Sequence, residues 1–398
     1  MMRIGTATLA QQGVTAILEQ QARIARTQQQ ISTGRKDATA ADNPADVSAA
    51  MGLDDALAKL ERFGKNADIV TNRLGLEDNA LSQVSDTLQR IRELAIQANN
   101  ASQDDVSRAS INAELRSRLQ QLVDIANSDN GEGRYLFAGT NDSTPPFSFG
   151  MSVSYAGTAS VRRVDVGPGT SVADSDDGAA VFMNLSAGNG TFAARAAPTN
   201  AGTLLLKRTA VADATQWDAG SYSINFTSPT TYEVRDGANA LVTSGTYAAD
   251  QAISFRGVSV TLAGSATTGD SFSVAPGGNT DVFSMVQGLI DTLSVPKGST
   301  SGEIARQNAV FGSLENLDRA LDHVVNTRAG VGARMSEVQS AKSSQESLSL
   351  QLTQSLSDVR DTDFTQAVSQ LQLQMTMLQA AQQSFAKVQG LSLFNYIR

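Results

Sequence analysis

Proline is confined almost entirely to the middle of the chain, where seven of the eight prolines lie between residues 145 and 296. Because proline lacks an amide hydrogen and clashes with the preceding helical turn, it ends or kinks a helix. Long helices are therefore possible on both sides of this segment but not across it. The distribution predicts two helical ends around a middle part of another class.

The amino-terminal segment has the seven-residue period of a helix that packs along one seam. Ala10, Ile17, Ile24 and Ile31 form the stripe, and Val14, Gln21 and Gln28 fall at the complementary heptad position. Two of the three complementary positions are polar, so the helix is marginal alone and needs a partner to complete its packing.

Further helices follow on both sides of the middle part. Asn43 before Pro44 predicts the N-cap of a second long helix that ends near residue 99, and Asp104-Asp105 predicts the start of another. Apolar residues then recur at steps of three and four, which predicts an intramolecular helical core. These stripes are Leu81, Val84, Leu88, Ile91, Ala95 and Ala98; Ile111, Leu115, Leu119, Leu122 and Ala126; and Val310, Leu314, Leu317, Leu321, Val324 and Val331.

The middle part consists of short runs of β-branched and aromatic residues separated by Gly, Asn, Asp and Pro. Such spacing predicts an antiparallel sheet domain. The predicted strands cover residues 152–155, 221–226, 230–234, 253–262 and 271–274, and residues 135–137 predict a short strand or hairpin edge.

A last heptad stripe near the carboxyl end mirrors the first. Its members are Phe364, Val368, Leu371, Met375, Leu378 and Phe385, with Gln382 as the polar member. The two ends are expected to pair as a coiled coil. A helix from Pro44 to residue 99 would span roughly 80 Å at about 1.5 Å per residue. The fold class expected is therefore an α+β multidomain rod with helical ends, a helical bundle and an inserted all-β domain.

Three regions are predicted from these patterns. Residues 1–43 and 359–398 form a terminal coiled-coil assembly region. Residues 44–139 and 280–358 form a helical rod domain with a short β-hairpin. Residues 140–279 form an inserted, β-rich outer domain.

Composition excludes several classes of function. The net charge of -9 leaves no basic surface for nucleic acid or an anionic membrane. There is no cysteine, hence no disulfide, thiolate metal site or cysteine nucleophile. No apolar segment of signal-peptide or membrane-spanning length is present, so a cytoplasmic location or export without a cleaved signal is expected.

No catalytic, cofactor or metal site is predicted. His323 is the only histidine, and its helical context indicates a packing or surface residue. The run Asp174-Ser175-Asp176-Asp177-Gly178 departs from a calcium loop in its glycine position and in having Leu185 where glutamate is required, so a flexible acidic loop is expected. Gly188-Asn189-Gly190 is interpreted as a turn.

Several motifs at the two ends resemble the flagellin superfamily of bacterial flagellar axial proteins. At the amino end these are MRIGT (2–6), ISTGRKDATAADNPADVSAA (31–50), RELAIQANN (92–100) and DIANSDNGEGRYLFAG (124–139). At the carboxyl end they are NTRAGVGARMSEVQ (326–339), DVRDTDF (358–364) and LSLFNYIR (391–398). Asn43 stands where the family usually has aspartate. Within the superfamily, GRYLFAG and LSLFNYIR are most similar to proteins of the hook-filament junction.

The resemblance implies a non-enzymatic structural subunit, exported through the flagellar type III channel and located outside the cell as an adaptor between hook and filament. The implied partners are hook-associated protein 1, flagellin, other copies of the chain in a ring, and an export chaperone at the carboxyl-terminal region. Nucleic acid, membrane and cofactors are not expected. The assembly residues expected are Ile17, Ile24, Ile31, Phe364, Leu371, Met375, Leu378, Phe385, Leu393, Phe394 and Tyr396.

Three other functions fit parts of the pattern. A filament flagellin would have the same ends but would polymerise indefinitely. A surface adhesin would use the turn-rich middle domain for binding. An embedded metalloprotease would need a His-Glu-x-x-His site, which a single histidine cannot supply.

Limited proteolysis with mass mapping tests the marginal stability of the ends. Because their helices lack an assembly partner in the free protein, about residues 1–43 and 360–398 should be lost first, leaving a stable central fragment. Ends as well protected as the centre would contradict this expectation.

Overall fold

The computed structural model describes residues 6–36, 43–100, 103–150, 152–296 and 298–394. Helices occupy both ends of the chain, as predicted. They are α1 (Thr6–Thr33), α2 (Pro44–Ala98), α3 (Asp105–Ala126), α4 (Val282–Ser294), α5 (Thr300–Arg360) and α6 (Phe364–Phe394). The chain forms two compact units: a terminal unit of residues 1–65 with 341–398, and a central unit of residues 66–340.

The predicted helix starts are confirmed by their hydrogen bonds. Asn43 lies directly before α2, where its Oδ1 accepts the amide of Asp46 at 3.4 Å and its Nδ2 donates to the Asp46 carboxylate at 2.6 Å. Asp104 caps α3 by accepting the amide of Ser107 at 2.7 Å. Each cap satisfies an amide that the first helical turn leaves without a partner.

The helical core of the central unit follows the predicted stripes. The α2 stripe from Leu81 to Ala98 and the α3 stripe from Ile111 to Ala126 are buried throughout. On α5, Val310, Leu317, Val324 and Val331 are buried, whereas Leu314 and Leu321 are half-buried. These stripes are the subunit's own core.

The middle of the chain is β-rich and antiparallel, as predicted, with several sheets among the described residues. A five-stranded sheet has the order β10-β9-β8-β13-β6, a three-stranded sheet has the order β11-β12-β7, and β1-β2, β3-β4 and β5-β14 form pairs. The strands are β1 (Phe147–Phe149), β2 (Val153–Tyr155), β3 (Arg163–Gly167), β4 (Thr170–Ala173), β5 (Leu185–Ser186), β6 (Phe192–Ala196), β7 (Leu205–Val211), β8 (Tyr222–Ser228), β9 (Thr231–Asp236), β10 (Leu241–Thr246), β11 (Ala252–Phe255), β12 (Val258–Ala263), β13 (Ser271–Pro276) and β14 (Asn279–Thr280).

Two strand predictions were wrong in detail. The run 253–262 is a hairpin of β11 and β12, because Arg256 and Gly257 adopt φ values of 45° and 75° and reverse the chain. Residues 135–137 form no strand: Tyr135 makes an isolated bridge with Asp129, and the chain then turns. Phe137 belongs to an aromatic cluster, and the centroid of its ring lies 5.1 Å from that of the Phe182 ring.

The acidic loop, residues 174–178, is also unlike the prediction of a flexible segment. Asp174 and Ser175 are buried, and Asp174 accepts a hydrogen bond from Arg162 Nε at 2.8 Å. An aspartate can be buried in this way when a cation neutralises it. The described residues contain no group of three or more His, Cys, Asp or Glu side chains that could hold a metal ion.

Helix α5 is joined to the β core by a buried asparagine. Asn308 Oδ1 accepts the amide of Leu206 at 2.7 Å, and Asn308 Nδ2 donates to the carbonyl of Leu204 at 2.9 Å. Phe311, one turn later, packs against the β core. One side chain thus satisfies two backbone groups at the start of β7.

Replacing Asn308 with alanine should lower the free energy of unfolding by about 2–4 kcal/mol, because two buried backbone groups lose their partner. Urea denaturation of the full chain measures this loss. Asn326→Ala, the same change at an exposed position of α5, is the control and should stay within about 0.5 kcal/mol of the parent. Equal effects of the two changes would contradict the proposed role of Asn308.

Candidate assembly site

The two ends of the chain meet in an antiparallel pair of helices, α1 and α6. Gly13 lies against Phe385, since a Cβ atom at Gly13 would be only 2.7 Å from Phe385 Cδ2. At the other end of the pair, a Cβ atom at Gly34 would be 3.8 Å from Phe364 Cζ. The terminal coiled coil predicted from the two heptad stripes is therefore present.

One seam of buried or half-buried residues runs along each helix. On α1 it contains Gly13, Ile17, Gln20, Ile24, Thr27 and Ile31. On α6 it contains Ala367, Leu371, Gln374, Leu378, Ala381 and Phe385. The steps of three and four keep these residues on one side of each helix.

The complementary heptad positions were predicted wrongly on both helices. Val14, Gln21 and Gln28 are exposed on α1, and the seam uses the residues immediately before them. On α6 the complementary positions Val368, Met375 and Gln382 are exposed, and Phe364, the first residue of the main stripe, is exposed as well. Gly13 replaces Val14 in the seam because glycine leaves room for the Phe385 ring. In the middle of the seam, Thr27 and Gln374 take the place of Gln28 and Met375 because they form a polar contact with each other.

The middle of the seam is a buried polar contact. Thr27 Oγ1 lies 3.1 Å from Gln374 Oε1, and Gln20 Nε2 donates to the Gln374 carbonyl at 3.1 Å. Thr27 and Gln374 are both buried. Polar groups in a helical seam favour one register at a cost in stability, so this pair positions the helices more than it stabilises them.

A short backbone pairing closes the base of the terminal unit. The amide of Lys36 donates to the carbonyl of Arg360 at 2.8 Å, and the amide of Thr362 donates to the carbonyl of Gly34 at 2.8 Å. Gly34 has a φ of 71°, a conformation that favours glycine after a helix. The STGRK and DVRDT segments, which carry the family resemblance at opposite ends of the chain, thus pair with each other.

Helix α6 also exposes apolar side chains on both sides of its seam. The first flank consists of Phe364, Val368 and Met375, with Phe364 54% and Met375 47% exposed. The second flank consists of Leu373 and Met377, which are 56% and 52% exposed. From Phe364 to Ala386 the sequence contains no Asp, Glu, Lys or Arg. Such a surface is typical of a helix that packs against further chains.

The predicted assembly residues divide into three groups. Ile17, Ile24, Ile31, Leu371, Leu378 and Phe385 lie in the seam and are half-buried. Phe364 and Met375 lie on the first flank. The side chains of Leu393 and Phe394, and the whole of Tyr396, lie outside the described residues.

Exposed apolar residues that the heptad pattern does not identify include Leu18 on α1 and Leu373 and Met377 on α6. They fall outside the seven-residue repeat, so periodicity alone could not identify them. The uncharged run on α6 is the sequence signal that would have found the last two.

The site has the composition of a packing surface. No helix of the described residues is both long and apolar enough to cross a membrane. The Nε2 atom of His323 lies 2.9 Å from the Ala180 carbonyl oxygen.

Comparison with known families gives three matches along the chain. Residues 4–142 match the bacterial flagellin N-terminal helical region, and residues 314–397 match the bacterial flagellin C-terminal helical region. Residues 196–276 match a D2-like domain of flagellar hook-associated protein 1.

Individual proteins are similar over most of their length. Flagellar hook-associated protein 3 of Escherichia coli K12 is 25% identical over 394 residues, which cover 99% of each chain. The crystal structure of Xanthomonas campestris FlgL is 40% identical and covers 77% of this chain and 99% of that one, with a TM-score of 0.71. The flagellar junction protein FlgL from Legionella pneumophila is 28% identical and covers 78% of this chain and all of its own, also with a TM-score of 0.71.

Replacing the seam residue Leu378 with alanine should weaken the pairing of α1 and α6 by about 1–2 kcal/mol, because it removes half-buried apolar contacts. Hydrogen exchange of the α1 amides in the free protein should then be about tenfold faster. Met375→Ala removes an exposed side chain of similar size and should leave exchange unchanged. Equal effects would contradict the assignment of seam and flank.

Proposed function

Because the chain belongs to the flagellar hook-associated protein 3 family and is a non-enzymatic structural component of the bacterial flagellum, we propose that it joins hook to filament by packing its terminal helices into the flagellar axis. The observation that carries this proposal is the uncharged, apolar surface of α6, which remains exposed on both flanks after α1 has covered the seam.

The energetics of the α1–α6 pair support a role in assembly. Its seam contains two glutamines, a threonine and a glycine, and its large apolar residues are only half-buried. Complete burial of a leucine or methionine side chain contributes about 1.5–3 kcal/mol. Packing of Leu373, Met375 and Met377 against neighbouring chains would therefore add stabilisation that the seam alone does not provide.

Four partners are proposed. Hook-associated protein 1 binds on the hook side, flagellin on the filament side, and other copies of the chain form a ring at the same level. An export chaperone covers the carboxyl-terminal helix before assembly, because an exposed apolar helix would otherwise associate non-specifically. The match of both helical ends to the flagellin terminal regions supports one mode of axial packing for all of these chains.

Location and domain roles follow from the same proposal. The chain acts outside the cell, at the hook-filament junction, after export without a cleaved signal peptide. Residues 1–43 and 359–398 supply the axial contacts, residues 44–139 and 280–358 support them, and residues 140–279 form the outer domain. Marginal terminal helices suit this route, because a segment that folds on binding can pass a narrow channel unfolded.

Charged substitutions on the flanks of α6 test the proposal. In cells lacking the native protein, Leu373→Asp or Met375→Asp should abolish swimming and release flagellin into the medium, because an aspartate cannot be buried between packed helices. Motility in soft agar and electron microscopy of hooks and filaments measure the outcome. The variant protein must be detected in the medium, which separates failed assembly from failed export.

The matched control is Ser369→Asp, which places the same charge at an exposed polar position of α6. It should leave filaments and motility unchanged. Normal filaments in the Leu373 and Met375 variants would overturn the proposed assembly role of the flanks.

A further inference from the structure

The acidic loop, residues 174–178, is held between two long helices in the central unit. From α2, the Glu77 side chain accepts the backbone amide of Asp176 at 2.9 Å through Oε1. From α5, Arg334 donates to the Asp176 carboxylate at 2.5 Å and to the Ser175 carbonyl at 3.3 Å. Glu77 is fully buried. Both helices therefore bind Asp176, and α5 also binds Ser175.

The arginines around this loop form ion pairs with carboxylates other than that of Glu77. Arg73, one turn before Glu77 on α2, has its Nε 3.1 Å from Asp174 Oδ2, and Arg162 binds the same oxygen. Arg334 binds Asp176. The loop itself carries Asp174, Asp176 and Asp177, and Asp177 accepts the Ala180 amide at 2.9 Å. The charged groups around the loop are Arg73 and Glu77 on α2, Arg334 on α5, Arg162 before β3, and Asp142 with its partner Arg134 between α3 and β1.

Among the described residues, the Glu77 carboxyl forms no ion pair, because Arg73 and Arg334 pair with Asp174 and Asp176. Its Oε2 is buried and has no hydrogen-bond partner among the described residues. An ionised carboxylate in that position costs several kcal/mol, whereas a protonated one can donate its hydrogen to the Asp176 carboxylate. Burial, followed by the negative charge of Asp176, raises the pKa of the Glu77 carboxyl to about 8 despite the opposing effect of Arg334.

We propose that Glu77 and Asp176 share one proton and that this contact is a latch, which holds the acidic loop between α2 and α5. The proton is lost at alkaline pH, and the latch then opens. At neutral pH the protonated Glu77 carboxyl donates its hydrogen to the Asp176 carboxylate, while its Oε1 accepts the Asp176 amide. After ionisation the two carboxylates repel each other inside the protein, and the loop separates from α2.

The direction of the pH effect follows from the two protonation states. Between the ordinary glutamate value of 4.5 and about 8, the folded protein retains a proton that the unfolded chain has lost. Stability contributed by this group therefore falls as pH rises through that interval and changes no further above it. The latch is independent of the role of the terminal helices in assembly.

Glu77→Gln imitates the protonated state, because its amide can donate to Asp176 and accept from the Asp176 amide. In the full chain, the protection factor of the Asp176 amide, corrected for intrinsic exchange, should fall at least about tenfold between pH 6.5 and pH 9. In the glutamine variant it should change by less than about twofold. Glu337→Gln, at an exposed position of α5, should behave like the parent.

Infrared spectroscopy of the unaltered protein provides a test that does not depend on any variant folding. At pH 7 the carbonyl stretch of a protonated carboxylic acid should be present and should titrate away near pH 8. Glu77→Gln should lack it at every pH. Absence of the band in the parent at pH 7, or equal pH dependence of loop protection in the parent and the glutamine variant, would overturn the shared proton.

Discussion

The pairing of the two chain ends is the contact on which the terminal unit depends. Thr27 and Gln374 are separated by 347 positions in sequence and lie 3.1 Å apart in the seam. Their contact sets the register of α1 against α6, and the Gly13–Phe385 contact and the bridge between Arg35 and Asp361 agree with that register. Because the seam is only partly apolar, it orders the helices without consuming all the apolar surface of α6. The remaining surface is available for other chains.

Buried polar groups have different consequences in the central unit. Asn308 satisfies two backbone groups of the β core, so it joins α5 to the sheet at little electrostatic cost. Glu77 forms no ion pair among the described residues, so the same degree of burial makes its proposed contact with Asp176 depend on protonation. A buried polar side chain therefore stabilises the fold when all its hydrogen-bonding atoms have partners. When one atom lacks a partner, as in Glu77, the contribution depends on the protonation state.

Much of the fold could be predicted because α2 and α3 carry their own start signals and the long helices carry apolar stripes. Asn43-Pro44, Asp104 and the stripe from Leu81 to Ala98 are local features, and the structure confirms each one. The errors arose where several elements meet. The run 253–262 is locally apolar throughout, and only the left-handed conformations of Arg256 and Gly257 divide it. The acidic loop is polar throughout, and its burial depends on Arg162 and on Arg73 and Arg334, of which the last two lie far from it in the sequence.

The sequence by itself determined the helical ends, the β middle and the heptad positions of Ile17, Ile24, Leu371 and Leu378, because proline placement and periodicity act over a few turns of chain. Only the tertiary structure decided which complementary positions complete the seam. Val14 and Gly13, or Met375 and Gln374, are neighbours on their helices, and either could join the stripe. The choice depends on the opposing helix, where Phe385 needs the space above Gly13 and Gln374 needs a polar partner in Thr27. For that reason only the tertiary structure separated the apolar residues outside the seam, which form the proposed assembly surface, from those inside it.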